Sequence, residues 1–453
     1  MNENSLERGV RKAPRFYIAS LGCPKNTVDA HGMAVLLQRA GYRPSDEPEE
    51  ADVLIVNTCG FIAAAREESL EMLRDLGARR SPEQKIVAAG CWSQREPEVL
   101  LELVPELDAA IGTRSWHAIV PFLDALERRS ERLIYTEDRP MALPEEAGAP
   151  GFALSGASAF LKIADGCSRQ CAFCAIPLIK GPNVSRPVEA IVEEARFLQL
   201  QGVLEINLIA QDTTYYGHDL ELENGLARLL ERLVEAVPDV PWLRILYAYP
   251  GFVTPRLMDV MVAHPQVLPY VDIPLQHAHP DVLRRMRRPA DVDWVRRTVG
   301  QLRSRLPDVC LRTTFIVGYP GETDEEFLAL LRFVEKMRFD RVGVFKYSQE
   351  AGTPAAAFSD DVPEAVKDAR LDALMVAQQP ISLEKNKDLI GRQLSVLLEG
   401  TGEGLTIGRT YRDAPEIDGL VLIPGERTVD RMVRVEVKDA MVYDLVGEVI
   451  EIQ

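Results

Sequence analysis

The chain has 453 residues, of which 46% are hydrophobic and 27% are charged. This length predicts roughly three domains, each large enough to bury a core. The formal net charge of −17 argues against a general polyanion-binding protein and matches a basic partner, although an acidic surface also serves solubility alone.

No apolar run approaches the ~20 residues that a membrane-spanning helix needs. Residues 1–15 are polar and lack the apolar core of a signal peptide, so we expect a short disordered lead-in and a cytoplasmic protein with no membrane attachment. The seven cysteines are an odd number, and six of them fall into two triads suited to metal sites. This usage favours reduced thiols that bind metal over a disulfide framework.

Residues 14–138 alternate apolar strand-like runs with helical patterns, which predicts an N-terminal parallel α/β domain. Three of these runs end in a cysteine, namely Cys23, Cys59 and Cys91. Because ligands of such sheets sit beyond the carboxyl ends of the strands, we expect the three thiols to converge. Three thiolates leave one iron of a cubane cluster without a protein ligand. The alternative interpretation is three separate cysteines buried in the core.

Residues 139–158 are rich in Pro, Gly, Ala and Glu and are predicted to be a linker. Residues 159–388 contain six strand-like runs, each followed by a helical stretch, which predicts a partial (β/α)6 barrel in place of a closed eight-stranded one. Its active site is then expected at the carboxyl ends of the strands. The last helical stretch contains Pro380, which should kink or break that helix.

Residues 391–453 contain five short β runs with Gly-rich turns, which predict a small antiparallel β-barrel of OB-like type. This segment has seven basic and twelve acidic side chains, a net charge of −5. A barrel that grips transfer RNA should be basic, whereas one that grips a basic protein should be acidic. The charge therefore favours a basic protein as the partner.

The first run of the barrel leads into a C-x3-C-x2-C pattern formed by Cys167, Cys171 and Cys174. Three soft thiolates on one loop are typical of an iron–sulfur cluster. An open iron can bind the amino and carboxylate groups of S-adenosylmethionine, and one electron would then cleave its sulfonium to a 5′-deoxyadenosyl radical. A structural zinc site, the alternative, usually takes four protein ligands.

Together the two triads predict two clusters, each with an open iron. A non-catalytic iron–sulfur protein, such as a cluster carrier or redox sensor, is an alternative of a different class. It predicts no cleavage of S-adenosylmethionine after reduction.

With these motifs the chain resembles the radical S-adenosylmethionine superfamily and, over nearly its whole length, the methylthiotransferase family. The resemblance implies that the C-terminal barrel is a TRAM domain and that Cys167, Cys171 and Cys174 hold the radical 4Fe-4S cluster. It also implies a second 4Fe-4S cluster, held by Cys23, Cys59 and Cys91 and involved in sulfur delivery. The family motif N-x-x-D-S-E after the first cysteine reads N-x-x-D-A-H here.

Two branches of that family differ in substrate. One attaches a methylthio group to an adenosine of transfer RNA, and the other, the RimO branch, to the β-carbon of an aspartate in ribosomal protein S-twelve. The chain resembles the second branch in SRQCAFCAIP, EINLIAQDTTYYG, DIPLQHAHP, FIVGYPGETDEEF and GRTYRDAPEIDG.

The RimO resemblance implies an aspartate methylthiotransferase that uses S-adenosylmethionine for both radical generation and methyl transfer. Its implied partners are ribosomal protein S-twelve, free or within the small ribosomal subunit, an external electron donor and a sulfur donor. Strong binding of transfer RNA is not expected, and a transfer-RNA adenosine methylthiotransferase is the alternative.

Four further residues are predicted to contact S-adenosylmethionine, each with a structural alternative. Phe173 either packs against the adenine or, structurally, packs over the cluster. Gln211 either helps to hold S-adenosylmethionine or makes an internal hydrogen bond. Glu205 faces the barrel interior or is a surface acid. Gly318 lets the backbone approach the nucleoside or merely permits a turn. Cys310 lies inside a strand run and is expected to be structural.

Overall fold

A computed structural model of the protein describes residues 13–129, 131–139 and 148–452. These residues form two compact units, and the boundary between them in the sequence falls between Pro150 and Gly151. The predicted lead-in at residues 1–12 and residues 140–147 of the predicted linker lie outside the described residues. In the described part of the chain, no helix is long and apolar enough to cross a membrane.

The first unit is built on a six-stranded, wholly parallel sheet with the order β2-β1-β3-β4-β5-β6. Its strands are β1 (Arg15–Ser20), β2 (Arg43–Pro44), β3 (Val53–Thr58), β4 (Lys85–Gly90), β5 (Ala109–Gly112) and β6 (Leu133–Tyr135). Its helices are α1 (Pro24–Arg39), α2 (Ala63–Arg79), α3 (Cys91–Arg95), α4 (Pro97–Leu103) and α5 (Ile119–Glu127). The predicted parallel α/β domain is confirmed.

The sequence of this unit explains where its strands end and its helices begin. All six residues of β3 are buried, as expected for a strand covered by helices on both faces. Helix α1 begins at Pro24, because proline suits the first helical turn, where its missing N–H is not needed. Cys23 thus caps α1, and Cys91 is the first residue of α3. The cysteines therefore sit at strand-to-helix junctions.

The second unit contains six parallel strands that correspond to the six predicted runs of the partial barrel. They form two hydrogen-bonded groups, β12-β11-β8 and β13-β14-β15. The strands are β7 (Phe152–Ser155), β8 (Ser158–Lys162), β9 (Ala164–Asp165), β10 (Val184–Ser185), β11 (Glu205–Ile209), β12 (Trp242–Ile245), β13 (Tyr270–Asp272), β14 (Cys310–Val317) and β15 (Arg341–Lys346).

Eight helices accompany these strands. They are α6 (Ile176–Lys180), α7 (Val188–Leu200), α8 (Gly225–Ala236), α9 (Pro255–Ala263), α10 (Pro280–Arg285), α11 (Val292–Arg305), α12 (Asp324–Met337) and α13 (Glu364–Lys387). Helix α13 runs through Pro380 without a break. At the other end of the unit the structure differs from the predicted linker, because β7 pairs antiparallel with β8 and buries Phe152 against the core.

The last five strands form a closed barrel in the order β16-β17-β18-β20-β19, which confirms the predicted C-terminal barrel. They are β16 (Gln393–Gly402), β17 (Leu405–Thr410), β18 (Val421–Pro424), β19 (Arg431–Ala440) and β20 (Leu445–Ile452). Every pairing is antiparallel except that of β18 with β20. Alternate residues such as Val396, Val433 and Val435 fill the interior.

Buried charged pairs join this small barrel to the partial barrel. Arg409 of β17 lies 2.6 Å from Glu205, the first residue of β11. Arg412 lies 2.8 Å from Asp340, immediately before β15, and the first residue of β15, Arg341, lies 2.6 Å from Asp413. These contacts lie at the strand starts, so the C-terminal barrel covers the end of the partial barrel opposite the cysteine loop.

Candidate active site

The tight cysteine triad lies on a loop that backbone hydrogen bonds hold in place. The loop runs from β9 to α6 and opens on Gly166, whose φ is +78° and where a Cβ would lie 2.1 Å from the Pro182 carbonyl oxygen. The N–H of Cys167 donates to the Gly181 carbonyl at 2.9 Å, and that of Ala172 donates to the Met286 carbonyl at 2.8 Å. Glycine is therefore required here, and backbone hydrogen bonds hold the loop on both sides of Cys171.

The three thiols of this loop influence one another. Burial, with a smaller contribution from the neighbouring Cys171, raises the pKa of Cys167 to about 11 and that of Cys174 to about 12. The thiols of Cys167 and Cys174 therefore favour the protonated form at neutral pH, and metal binding there would displace protons. The seventh cysteine, Cys310, begins β14 and donates to the Arg412 carbonyl at 3.2 Å. This contact gives Cys310 a structural role, as expected. The three soft donors of the loop, in contrast, fit a cluster with one open iron.

An arginine within the loop is held by aromatic rings, a feature that the motif analysis missed. The Arg169 guanidinium lies 4.7, 4.2 and 3.8 Å from the ring centroids of Tyr215, Tyr249 and Phe252. Its Nε donates to Asp212 at 2.8 Å, so the charge is paired. Cation–π contacts of this kind fasten the loop to the ends of β11 and β12. The sequence signal was available, because Tyr249 follows a strand run.

Gln211 follows β11 at the edge where the cysteine loop lies. Its Nε2 donates to Asp165 at 2.8 Å, and its buried Oε1 has no partner within the described residues. Asp165 is also paired with Lys162 at 3.3 Å and Lys180 at 3.1 Å. Burial alone would raise the pKa of Asp165, but the two lysines and Gln211 hold it well below its usual range. Gln211 thus makes the internal hydrogen bond and keeps one acceptor available.

Phe173 and Gly318 lie at the same edge of the barrel. Phe173 is half-buried and packs against a cluster that contains Ala172, Met286 and Tyr319. Gly318 follows β14 with φ +71°, and a Cβ there would lie 2.3 Å from Cγ of Lys367. Its N–H donates to Glu322. The turn and the lysine therefore both require glycine, whether or not a nucleoside approaches.

The structure places Glu205 away from this edge, and a contact with S-adenosylmethionine is not supported. Its side chain is fully buried at the start of β11, 2.8 Å from Arg244 and 2.6 Å from Arg409. Burial alone would raise its pKa, but Arg409 and Arg244 hold the value at about 2. Ile206 and Leu208 face the helices, so Glu205 lies on the opposite, interior face of β11, which is the first of its two predicted alternatives, and there it anchors the C-terminal barrel.

Replacing Glu205 by glutamine should destabilise the protein by about 3–5 kcal/mol, because the buried guanidinium of Arg244 loses its carboxylate and that of Arg409 keeps only Glu399. Urea unfolding followed by circular dichroism measures this. The matched control is Glu399→Gln, since Glu399 also pairs with Arg409 but its side chain is 30% exposed, and a cost of no more than about 1 kcal/mol is expected. Equal costs for the two variants would contradict this role.

The stability that Glu205 contributes also has a predicted pH dependence. Its folded-state pKa lies below the ordinary value of 4.5, so the contribution is present above that value and is lost as the pH falls toward about 2. The difference between wild type and Glu205→Gln should therefore shrink in acid, which unfolding at several pH values would show.

The dispersed triad converges at the carboxyl ends of β1, β3 and β4. A Cβ on Gly22 would lie 3.0 Å from Sγ of Cys59, and the Sγ of Cys91 lies 3.4 Å from Oδ1 of Asn26. Burial, with a smaller contribution from Cys23, raises the pKa of Cys59 to about 11. The three dispersed cysteines thus follow neighbouring strands at one edge of the sheet, and the chemistry of three thiols fits a second cluster with an open iron.

Two buried asparagines support this second triad. The amide of Asn26 donates to the carbonyls of Leu21 at 2.9 Å and Thr58 at 3.1 Å. Asn57 donates to the Asn26 carbonyl at 2.7 Å. Asn26 is the first residue of the N-x-x-D motif, whereas no sequence signal singled out Asn57. The bonds tie the ends of β1 and β3 to the start of α1, which sets the spacing of the cysteines.

Models of three protein families match the chain. The uncharacterized protein family UPF0004 matches residues 15–112, the radical SAM superfamily matches residues 161–334, and the TRAM domain matches residues 390–450. The predicted TRAM domain is therefore confirmed. The radical SAM match includes the tight triad, and the UPF0004 match includes the dispersed one.

Among solved structures, the chain is similar to the radical S-adenosylmethionine methyltransferase TsrM from Kitasatospora setae, solved with cobalamin and a 4Fe-4S cluster. The TM-score is 0.55 at 15% identity, and the match covers 87% of this chain and 81% of that one. At this identity the likeness concerns the fold alone.

Curated relatives are much more similar in sequence. A protein of Roseiflexus sp. (strain RS-1) named ribosomal protein uS12 methylthiotransferase RimO is 45% identical over 96% of this chain and 97% of its own length. A protein of the same name from Chloroflexus aurantiacus is 46% identical over 96% of this chain and 99% of its own length. Similarity at this level over both full lengths places the chain in the RimO family of radical SAM methylthiotransferases.

Proposed function

We propose that this enzyme attaches a methylthio group to the β-carbon of an aspartate in ribosomal protein uS12. It would hold two 4Fe-4S clusters, one on Cys167, Cys171 and Cys174 and the other on Cys23, Cys59 and Cys91. The observation that carries the proposal is the pair of three-thiol sites in a chain whose full-length relatives are named for this reaction. The sulfur donor and the electron donor would be external.

The bound clusters and S-adenosylmethionine would supply one-electron cleavage of the sulfonium bond and the sulfur and methyl groups to be transferred. The protein's own contribution is placement. The backbone bonds of Cys167 and Ala172 fix the loop, and Arg169 fastens it to aromatic rings. Gln211 offers a buried acceptor at the same edge, and Phe173 an apolar surface. These groups would orient S-adenosylmethionine and exclude water from it.

The charge of the C-terminal barrel supports a basic protein as the substrate. Arg409 and Arg412 are buried in ion pairs with Glu205, Glu399 and Asp340, so neither presents its charge to solvent. The side chains left at the surface of this barrel are predominantly acidic. Transfer RNA would be repelled by such a surface, whereas a basic ribosomal protein would be attracted.

Anaerobic reconstitution with iron and sulfide, followed by reduction in the presence of S-adenosylmethionine and purified uS12, tests the proposal. An aspartyl peptide of uS12 should gain the mass of one methylthio group less one hydrogen. Formation of 5′-deoxyadenosine with uS12 unmodified and transfer RNA methylthiolated would overturn the choice of substrate. Absence of 5′-deoxyadenosine with both clusters intact would overturn the radical chemistry.

A further inference from the structure

One buried arginine contacts a cysteine of the radical triad from outside the cysteine loop. Arg288 follows α10 and is 9% exposed, and Cys171 is 8% exposed. The Nη1 of Arg288 donates to Sγ of Cys171 at 3.5 Å, a hydrogen-bonding distance for sulfur, although the residues are 117 positions apart.

The same sulfur has a second polar neighbour. The hydroxyl of Tyr249 lies 3.9 Å from Sγ of Cys171, and the Arg288 guanidinium lies 4.3 Å from the centroid of the Tyr249 ring. The Nη2 of Arg288 donates to the Pro274 carbonyl. Arg288 is thus held on three sides, by a sulfur, a ring face and a carbonyl.

Arg288 and its neighbour Arg169 differ in whether a carboxylate compensates their positive charge. Arg169 is neutralised by Asp212 at 2.8 Å. Within the described residues, Arg288 has no carboxylate in salt-bridge range, and its buried Nε has no hydrogen-bond partner. A buried cation therefore faces the sulfur without a compensating carboxylate, which is costly unless an anion is bound nearby.

We propose that Arg288 is a positioning residue that tunes the radical cluster, with Tyr249 as its support. This rests on the proposed function, since it assumes that Cys171 ligates a cluster. A hydrogen bond and a positive charge at a ligand sulfur stabilise the reduced, more negative cluster over the oxidised one. Arg288 thereby raises the reduction potential and makes the cluster easier to charge with an electron.

The test is a redox titration followed by electron paramagnetic resonance on the reconstituted full-length chain. It is performed in a Cys23→Ala, Cys59→Ala, Cys91→Ala background, so that the signal comes from the radical cluster. Arg288→Gln should lower the ratio of reduced to oxidised cluster at least tenfold at a fixed potential, which is a shift of 59 mV for one electron. Arg288→Lys, which keeps the positive charge, should change this ratio less.

Arg284→Gln is the matched control, because Arg284 lies four residues earlier, within α10, and pairs with the exposed Asp281. It should leave the ratio unchanged. Iron and sulfide contents show whether each variant keeps its cluster. If Arg288→Gln loses its cluster, the change in the ratio of reduced to oxidised cluster is measured in Arg288→Lys and Tyr249→Phe instead. An unchanged ratio in cluster-loaded Arg288 variants would overturn this inference. A wild-type chain that assembles no cluster would instead overturn the proposed function.

Discussion

Cys171→Ala is expected to reduce the cleavage of S-adenosylmethionine to background. The three thiols of the tight triad are the only cysteines on their loop, so removal of one leaves two ligands for the cluster. The reconstituted variant should hold about half the iron of the wild type, since the dispersed triad is untouched. Chromatography of 5′-deoxyadenosine after reduction measures the loss, and an iron assay measures the cluster.

Cys310→Ala is the matched control for this experiment. Cys310 is also buried, but its thiol donates to a carbonyl at the opposite end of the barrel. This variant should keep its iron and its cleavage activity. If Cys171→Ala retained both, the tight triad would not be the radical site, and the zinc or redox-sensor interpretations would return.

The second large effect is expected from Cys91→Ala, which should separate the two halves of the reaction. Loss of this thiol removes a ligand from the dispersed triad, so methylthiolation of uS12 should fall to background. Cleavage of S-adenosylmethionine should persist, because Cys167, Cys171 and Cys174 are intact. Mass spectrometry of uS12 peptides and chromatography of 5′-deoxyadenosine from the same reaction report the two outcomes.

Ser93→Ala is the control, because Ser93 lies in the same short helix, is fully buried and makes no hydrogen bond through its hydroxyl within the described residues. It should modify uS12 at the wild-type rate. Wild-type methylthiolation by Cys91→Ala would show that the dispersed cysteines are only core residues. Loss of both products would show that the triad is needed for folding of the site.

The sequence predicts the two cysteine groups because each prediction depends on local rules. Parallel strands align their carboxyl ends, so three cysteines at strand ends converge even when they are more than 30 residues apart. The tight triad needs only its own loop. The six barrel strands were visible as apolar runs, and the five strands of the C-terminal barrel as short β runs between glycines.

Contacts between distant segments were beyond sequence reasoning. Glu205 begins a strand run, and only the structure shows that its carboxylate binds Arg409, 204 residues later. Arg288 is one of several arginines in a basic stretch, and nothing in its neighbours singles it out as the one that reaches Cys171. Pro380 illustrates the converse, because its helix continues where a local rule allows a break.

The pairing of the two barrels restricts how this chain can be recombined. Arg409 lies near the end of β17, and Arg412 and Asp413 lie in the segment that follows it. Their partners lie at the strand starts of the partial barrel. A C-terminal barrel grafted from a protein with other residues at these positions would leave Arg341 buried without its counter-charge, and Glu205 and Asp340 would keep only Arg244 and Lys385. A chimaera designed to change substrate must therefore exchange both sides of this boundary together.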